Sequence, residues 1–96
     1  MYIDEARGLE ETKYYKYKDF DIMISHYEYD VEGLEFYYYV AHIKRAGIYQ
    51  DSTCIRKPIN RFIRYNNENK SLSYAYVLSQ CKYEINKIIV KEQDKI

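Results

Sequence analysis

From Lys16 onward, apolar and polar side chains alternate with a period of two. Phe20, Ile22 and Ile24 share one parity, while Asp19, Asp21, Met23 and Ser25 share the other. Successive side chains of a strand point to opposite sides, so this alternation predicts a strand buried on one face. It continues through His26-Tyr27-Glu28-Tyr29 to a polar break at Asp30-Val31-Glu32-Gly33. There Gly33 can supply the positive φ of a hairpin turn. In the next stretch Leu34, Phe36, Tyr38 and Val40 fall on one parity and Tyr37, Tyr39, Ala41 and Ile43 on the other. Both faces are apolar or aromatic, which predicts a central strand. Lys44-Arg45-Ala46-Gly47 reads as a second turn and residues 48–55 as a third, shorter strand, so that 16–55 form a β-meander. Residues 1–12 are acidic and irregular and read as a mobile arm or a short helix.

After Pro58 the period changes. Proline suits the first turn of a helix, and Ile59, Phe62 and Ile63 recur at i, i+3 and i+4, predicting a short helix over 58–65 with these three facing inward. The polar run Asn66-Asn67-Glu68-Asn69-Lys70 is a loop. Ser71 is a fitting N-cap for a long helix over 72–92. Its apolar stripe is Leu72, Ala75, Leu78, Cys81, Ile85, Ile88 and Ile89; Ser73, Gln80, Glu84, Lys87 and Lys91 form its wet face. Such a stripe has to lie on another apolar surface, and the sheet offers the one available. The expected fold class is therefore α+β: a three-stranded antiparallel meander with a long C-terminal helix packed on one face, in a single domain over 1–96.

Composition narrows the chemistry. Fourteen of the 96 residues are tyrosine, so the core is expected to combine Ile, Leu, Val and Phe with tyrosine rings whose hydroxyls reach the rim. Residues 1–36 carry ten acids against four bases, net −6, and residues 37–96 carry five acids against eleven bases, net +6. No run approaches the roughly 18 apolar residues of a membrane span. Met1-Tyr2-Ile3-Asp4-Glu5 lacks the basic and apolar regions of a signal peptide. Cys54 and Cys81 make no CxxC pair and read as two reduced, partly buried thiols, which predicts a cytoplasmic protein.

Catalytic patterns such as GxSxG, HExxH, a P-loop or GxGxxG are lacking, and only three glycines exist. His26 and His42 both sit at even positions of adjacent predicted strands and so are expected on one face, without a third placed ligand for a metal. No enzyme activity, metal or cofactor is expected. Two segments carry binding signals instead. The first is the acidic–aromatic hairpin, with Tyr27, Glu28, Tyr29, Asp30, Glu32, Glu35, Tyr37 and Tyr39 as candidate protein-contact residues. Tyrosine gives large contact area at low entropy cost, and the carboxylates would steer the hairpin toward a basic surface. The plainer alternative is cross-strand tyrosine pairs on an exposed, solvated sheet. The second segment is basic: Lys44, Arg45, Arg56, Lys57, Arg61 and Arg64, with Phe62 and Tyr65 interleaved, are the candidates for holding nucleic acid. A pI near 6.7 argues against a dedicated nucleic-acid binder.

The chain resembles small proteins of phages and mobile elements from AT-rich bacteria, among them the anti-CRISPR inhibitors of host defence. The residues behind the resemblance are Tyr27 to Tyr39 and the strand–strand–helix order ending in Ser71-Leu72-Ser73-Tyr74-Ala75-Tyr76. It covers the whole chain in architecture and composition. No motif defines that group, so no functional residue is carried over, and the basic 52–67 stretch departs from a wholly acidic DNA mimic. The resemblance implies a non-enzymatic inhibitor or accessory protein in the host cytoplasm. Such a protein would occupy a surface of a larger protein or ribonucleoprotein partner with a basic surface, plausible targets being host defence nuclease complexes. The alternatives are a small nucleic-acid-binding accessory protein using region 44–70, and a homodimer. No membrane partner is expected.

Overall fold

The computed structural model describes residues 6–66 and 72–94. In it the period-two alternation becomes two twelve-residue strands, β2 (Phe20–Val31) and β3 (Leu34–Arg45), joined at Glu32-Gly33. Glu32 and Gly33 have φ of 51° and 82°, the double positive φ of a type I′ hairpin turn, whose twist matches that of the flanking strands. Opposite them, β1 (Ala6–Tyr17) pairs antiparallel with β2, and β6 (Ile59–Asn66) pairs antiparallel with β3. The sheet thus has four strands in the order β1-β2-β3-β6. A separate two-stranded hairpin is formed by β4 (Ile48–Gln50) and β5 (Thr53–Arg56). The chain ends in α1 (Tyr74–Gln93), a twenty-residue helix.

Antiparallel pairing and the C-terminal helix agree with expectation; the strand count does not. The 48–55 stretch does not extend the meander. It folds back on itself around Asp51-Ser52, both at positive φ. Gly47 lets it leave the sheet there, since a Cβ at this position would lie 3.0 Å from the Arg56 carbonyl oxygen and from Pro58 Cδ. The edge of β3 that this leaves open needs hydrogen-bond partners for its backbone. Residues 59–66 supply them as a strand, which overrides the helical spacing of Ile59, Phe62 and Ile63. Pro58, lacking an N–H, simply precedes that strand. The described part of the N-terminal segment is likewise neither arm nor helix: from Ala6 it pairs along β2, with register shifts between Ala6 and Gly8 and between Leu9 and Glu11. Residues 1–5 lie outside the described residues.

The helix starts two residues later than its pattern suggested. Ser73 is the N-cap, accepting a bond from the Tyr76 amide on its hydroxyl; Ser71 lies outside the described residues. Val77, Cys81, Ile85 and Ile88 are its buried residues, Leu78 and Ile89 pack beside them, and Ala75 is exposed. Val77 takes the inward place assigned to Ala75, keeping the i, i+4 spacing to Cys81 and Ile85. This stripe lies on Phe20, Ile22 and Ile24 of β2 and Tyr39, Ala41 and Ile43 of β3, one parity of each strand, as the alternation required. Full burial of each large apolar side chain contributes roughly 1.5–3 kcal/mol. The molecule is long, 55 × 27 × 20 Å. A helix of twenty residues spans about 30 Å and strands of twelve about 40 Å, so the β2–β3 hairpin runs on past the helix N-terminus.

Candidate functional site

Because α1 packs on one face, the other parity of each strand forms a second face that no described element covers. The registers align its side chains in cross-strand rows about 7 Å apart. At one end stand Lys16, Asp21, Lys44 and Asn60, followed by Tyr14, Met23, His42 and Phe62. The third row holds Thr12, Ser25, Val40 and Arg64. Towards the hairpin turn come Tyr27 with Tyr38, then Tyr29 with Phe36, then Val31 with Leu34.

The rings on this face are ordered. His42 and Phe62 stack with centroids 4.1 Å apart and 9° between planes, Tyr27 and Tyr38 at 5.0 Å and 14°, and Tyr29 and Phe36 at 5.4 Å and 20°. The Arg64 guanidinium carbon lies 3.9 Å from the Tyr38 ring centroid, within cation–π range. His42 Nε2 donates to Asn60 Oδ1, and the Thr12 and Ser25 hydroxyls share a 3.0 Å hydrogen bond. At both edges of the face the rings are open to solvent, Tyr14 being 75% exposed and Phe62 65%. A shallow depression of about 250 Å³ lies beside Tyr14, lined also by Asp21, Met23, His42 and Lys44 among others.

The pleat divides the acidic–aromatic hairpin between two surfaces. Tyr27 and Tyr29 belong to the open face; Glu28, Asp30, Glu35, Tyr37 and Tyr39 have the parity of the helix side, with Glu28 opposite Tyr37 and Asp30 opposite Glu35. Glu32 is in the turn. Tyr39 is buried, and burial followed by the charges of Tyr37 and Glu28 pushes its hydroxyl pKa up.

The basic candidates are divided as well. Lys44 and Arg64 are on the open face. Arg61 is on the helix side, 3.8 Å from Glu84, and Arg45 is buried there. Arg56, just before Pro58, bonds to Asp19 and to the Ala46 carbonyl. Lys57 is exposed, and its carbonyl accepts from Arg45.

Arg45 anchors an ion cluster at the C-terminal end of α1. Its Nη1 and Nη2 donate to Glu92 at 2.9 and 2.6 Å. That hydrogen bond raises the Arg45 pKa and lowers that of Glu92. For Asp19, desolvation pulls upward, but the hydrogen bond and charge of Arg56 prevail and hold its carboxyl below the usual range.

The two histidines are on opposite faces, contrary to the expectation from their shared parity. Across an antiparallel hairpin paired residues here have opposite parity, as Asp21 with Lys44 or Ile24 with Ala41, so two even positions diverge. His26 lies under the helix start, stacked on Tyr39 at 4.5 Å. Among the described residues no three His, Cys, Asp or Glu side chains are grouped to hold a metal ion. Both cysteines are free, but Cys54 is exposed rather than partly buried, and only Cys81 is sealed in the core. No helix among the described residues is long and apolar enough to cross a membrane.

Of the open-face residues Tyr14, His42 and Phe62, the first escapes a reading by composition and local period, and the other two are misplaced by it. Their signal is register: each has the parity opposite to that of a helix-side neighbour, Tyr15, Ile43 or Ile63, of which Ile43 is buried and the other two partly so. Phe62 was expected to point inward on a helix; on a strand Ile63 takes that side and Phe62 faces out. In comparison with known proteins, the chain matches no protein-family model, no curated protein and no solved structure.

Proposed function

We propose that this chain is a non-enzymatic binding protein whose working surface is the open face of the β1-β2-β3-β6 sheet, laid against a larger partner. One observation carries the reading: the face opposite α1 presents stacked aromatic pairs along its length and ends in the exposed Tyr14, Leu34 and Phe62. Monomeric proteins rarely leave a contiguous aromatic surface in water unless something covers it in use. Tyrosine and phenylalanine already held in stacked pairs lose little further freedom on docking, which favours an interface. In this reading the protein inhibits or assists its partner by occupancy. The resemblance to phage inhibitors directs the search for that partner to host nuclease complexes.

The rival surface within the same reading is the acidic side of the hairpin. The two are separable by mutation. Leu34→Ser with Phe62→Ser strips the open face, whereas charge reversal at Glu28, Asp30, Glu32 and Glu35 alters the other side. Complex formation with a host nuclease assembly, measured by co-sedimentation of purified components, is expected to fail for the first variant and survive the second. The opposite pattern would move the working surface to the acids.

A further inference from the structure

We infer that the open face takes single-stranded nucleic acid, with a base stacked on Phe62 and the backbone held by Lys44 and Arg64. This rests on the open face being the working surface and names what occupies it.

The first ground is how the pleat sorts charge. The chain is neutral, yet the hairpin carboxylates Glu28, Asp30 and Glu35 project from the helix side. By register, among the residues whose side chains are described, the open face carries Lys16, Lys44 and Arg64 against one carboxylate, Asp21, which Lys16 already holds at 2.9 Å. A neutral composition therefore hides a cationic, aromatic face. A basic protein surface would be repelled there. A second copy docked face to face would bring two cationic surfaces together. A polyanion with stacking rings is complementary on both counts.

The second ground is where the unused ring surface lies. Phe62 stacks one face on His42; β6 is the edge strand among the described residues, so no further described strand borders the other, and the ring is 65% exposed. Lys44 and Arg64 stand on the two rows flanking that of Phe62, about 7 Å to either side. A planar base on the ring thus leaves its two neighbouring phosphates within reach of one cation each. Bases locked in a duplex cannot stack on a side chain, so the strand must be unpaired.

The test is fluorescence anisotropy with labelled single-stranded DNA and RNA of about 12 nucleotides, and with the DNA duplex, over a salt series. Expected are binding of at least one single strand at low salt, a weaker response to the duplex, and a log–log salt slope of about −1.4 for two phosphate contacts. Preference for RNA over DNA would show that the 2′-hydroxyl is read. Phe62→Ala should weaken binding about tenfold or more while Phe62→Tyr retains it, since the ring rather than its polarity is used. Arg64→Ala and Lys44→Ala should each reduce the salt slope. Arg61→Ala, one residue from Phe62 but on the helix side, should leave affinity within about twofold. Failure of both single strands to bind at low salt, or binding unaltered by Phe62→Ala, overturns the inference. If Leu34→Ser with Phe62→Ser then still abolishes docking to a protein, or self-association in sedimentation, the open face remains the working surface and only its occupant is wrong. If that variant changes nothing, both readings fall.

Discussion

Arg45 and Glu92 join the last residue of β3 to the last turn of α1 through two hydrogen bonds, 2.9 and 2.6 Å long. The arginine side chain is 2% exposed and the carboxylate 39%. Removing one partner of a fully buried pair costs about 3–5 kcal/mol. Solvent at Glu92 screens this one, so Glu92→Gln is expected to cost about 1–2 kcal/mol in urea unfolding. Arg45→Met combined with Glu92→Leu should recover most of that loss, because no charge then stays buried alone. The pair also gives an acid limit. Glu92's folded pKa lies below its ordinary 4.5, so this stability is complete above that value and is lost as pH falls through the lowered folded pKa. Glu92→Gln should remove that part of the acid dependence.

At the alkaline end Cys81 and Tyr65 set the limit. Burial pushes the Cys81 thiol from 9.0 up to about 11 and the Tyr65 hydroxyl from 10.0 up to about 12, with the charge of Glu84 adding to both. Both groups stay protonated in the folded chain while the unfolded chain ionises. Their contribution is full below pH 9 and is lost as pH rises through the folded values. Thermal melts from pH 8 to 11 should show Tm falling steadily above pH 9, and Cys81→Ala should flatten the first part of that fall.

The Glu32-Gly33 turn offers changes in opposite directions. Gly33 has φ of 82°, and a Cβ there would meet nothing within 4 Å. Gly33→Ala is therefore expected to cost about 1 kcal/mol from backbone conformation alone. Glu32 sits at φ 51°, where asparagine is more at ease, so Glu32→Asn should stabilise by a few tenths of a kcal/mol. Equilibrium unfolding measures both.

Neighbouring residues of β6 test whether 59–66 is a strand. Ile63 packs against the core while Phe62 is 65% exposed. Ile63→Ala is expected to cost about 2 kcal/mol. Phe62→Ala should cost about 1 kcal/mol or less, the worth of its stack on His42. A helix over this segment, with both residues inward, would make the phenylalanine the costlier loss.

Much of this fold was legible in the chain itself. The alternation of Phe20, Ile22 and Ile24, the glycine at residue 33 and the stripe through Cys81, Ile85 and Ile88 each report a local period, and local period follows from backbone geometry. Hence two strands, the turn between them, a C-terminal helix and its buried side could all be read directly. What tertiary structure alone decided is which segments complete the sheet, and so which side chains share a face. Residues 59–66 satisfy a helical and a strand pattern equally well; the open edge of β3 and its unpaired backbone groups selected the strand. The same registers placed His26 and His42 on opposite faces, drew Tyr27 and Tyr29 apart from the hairpin's carboxylates, and brought Phe62 between Lys44 and Arg64. Those placements join residues distant along the chain, and pairing across strands is a long-range contact that no local spacing encodes.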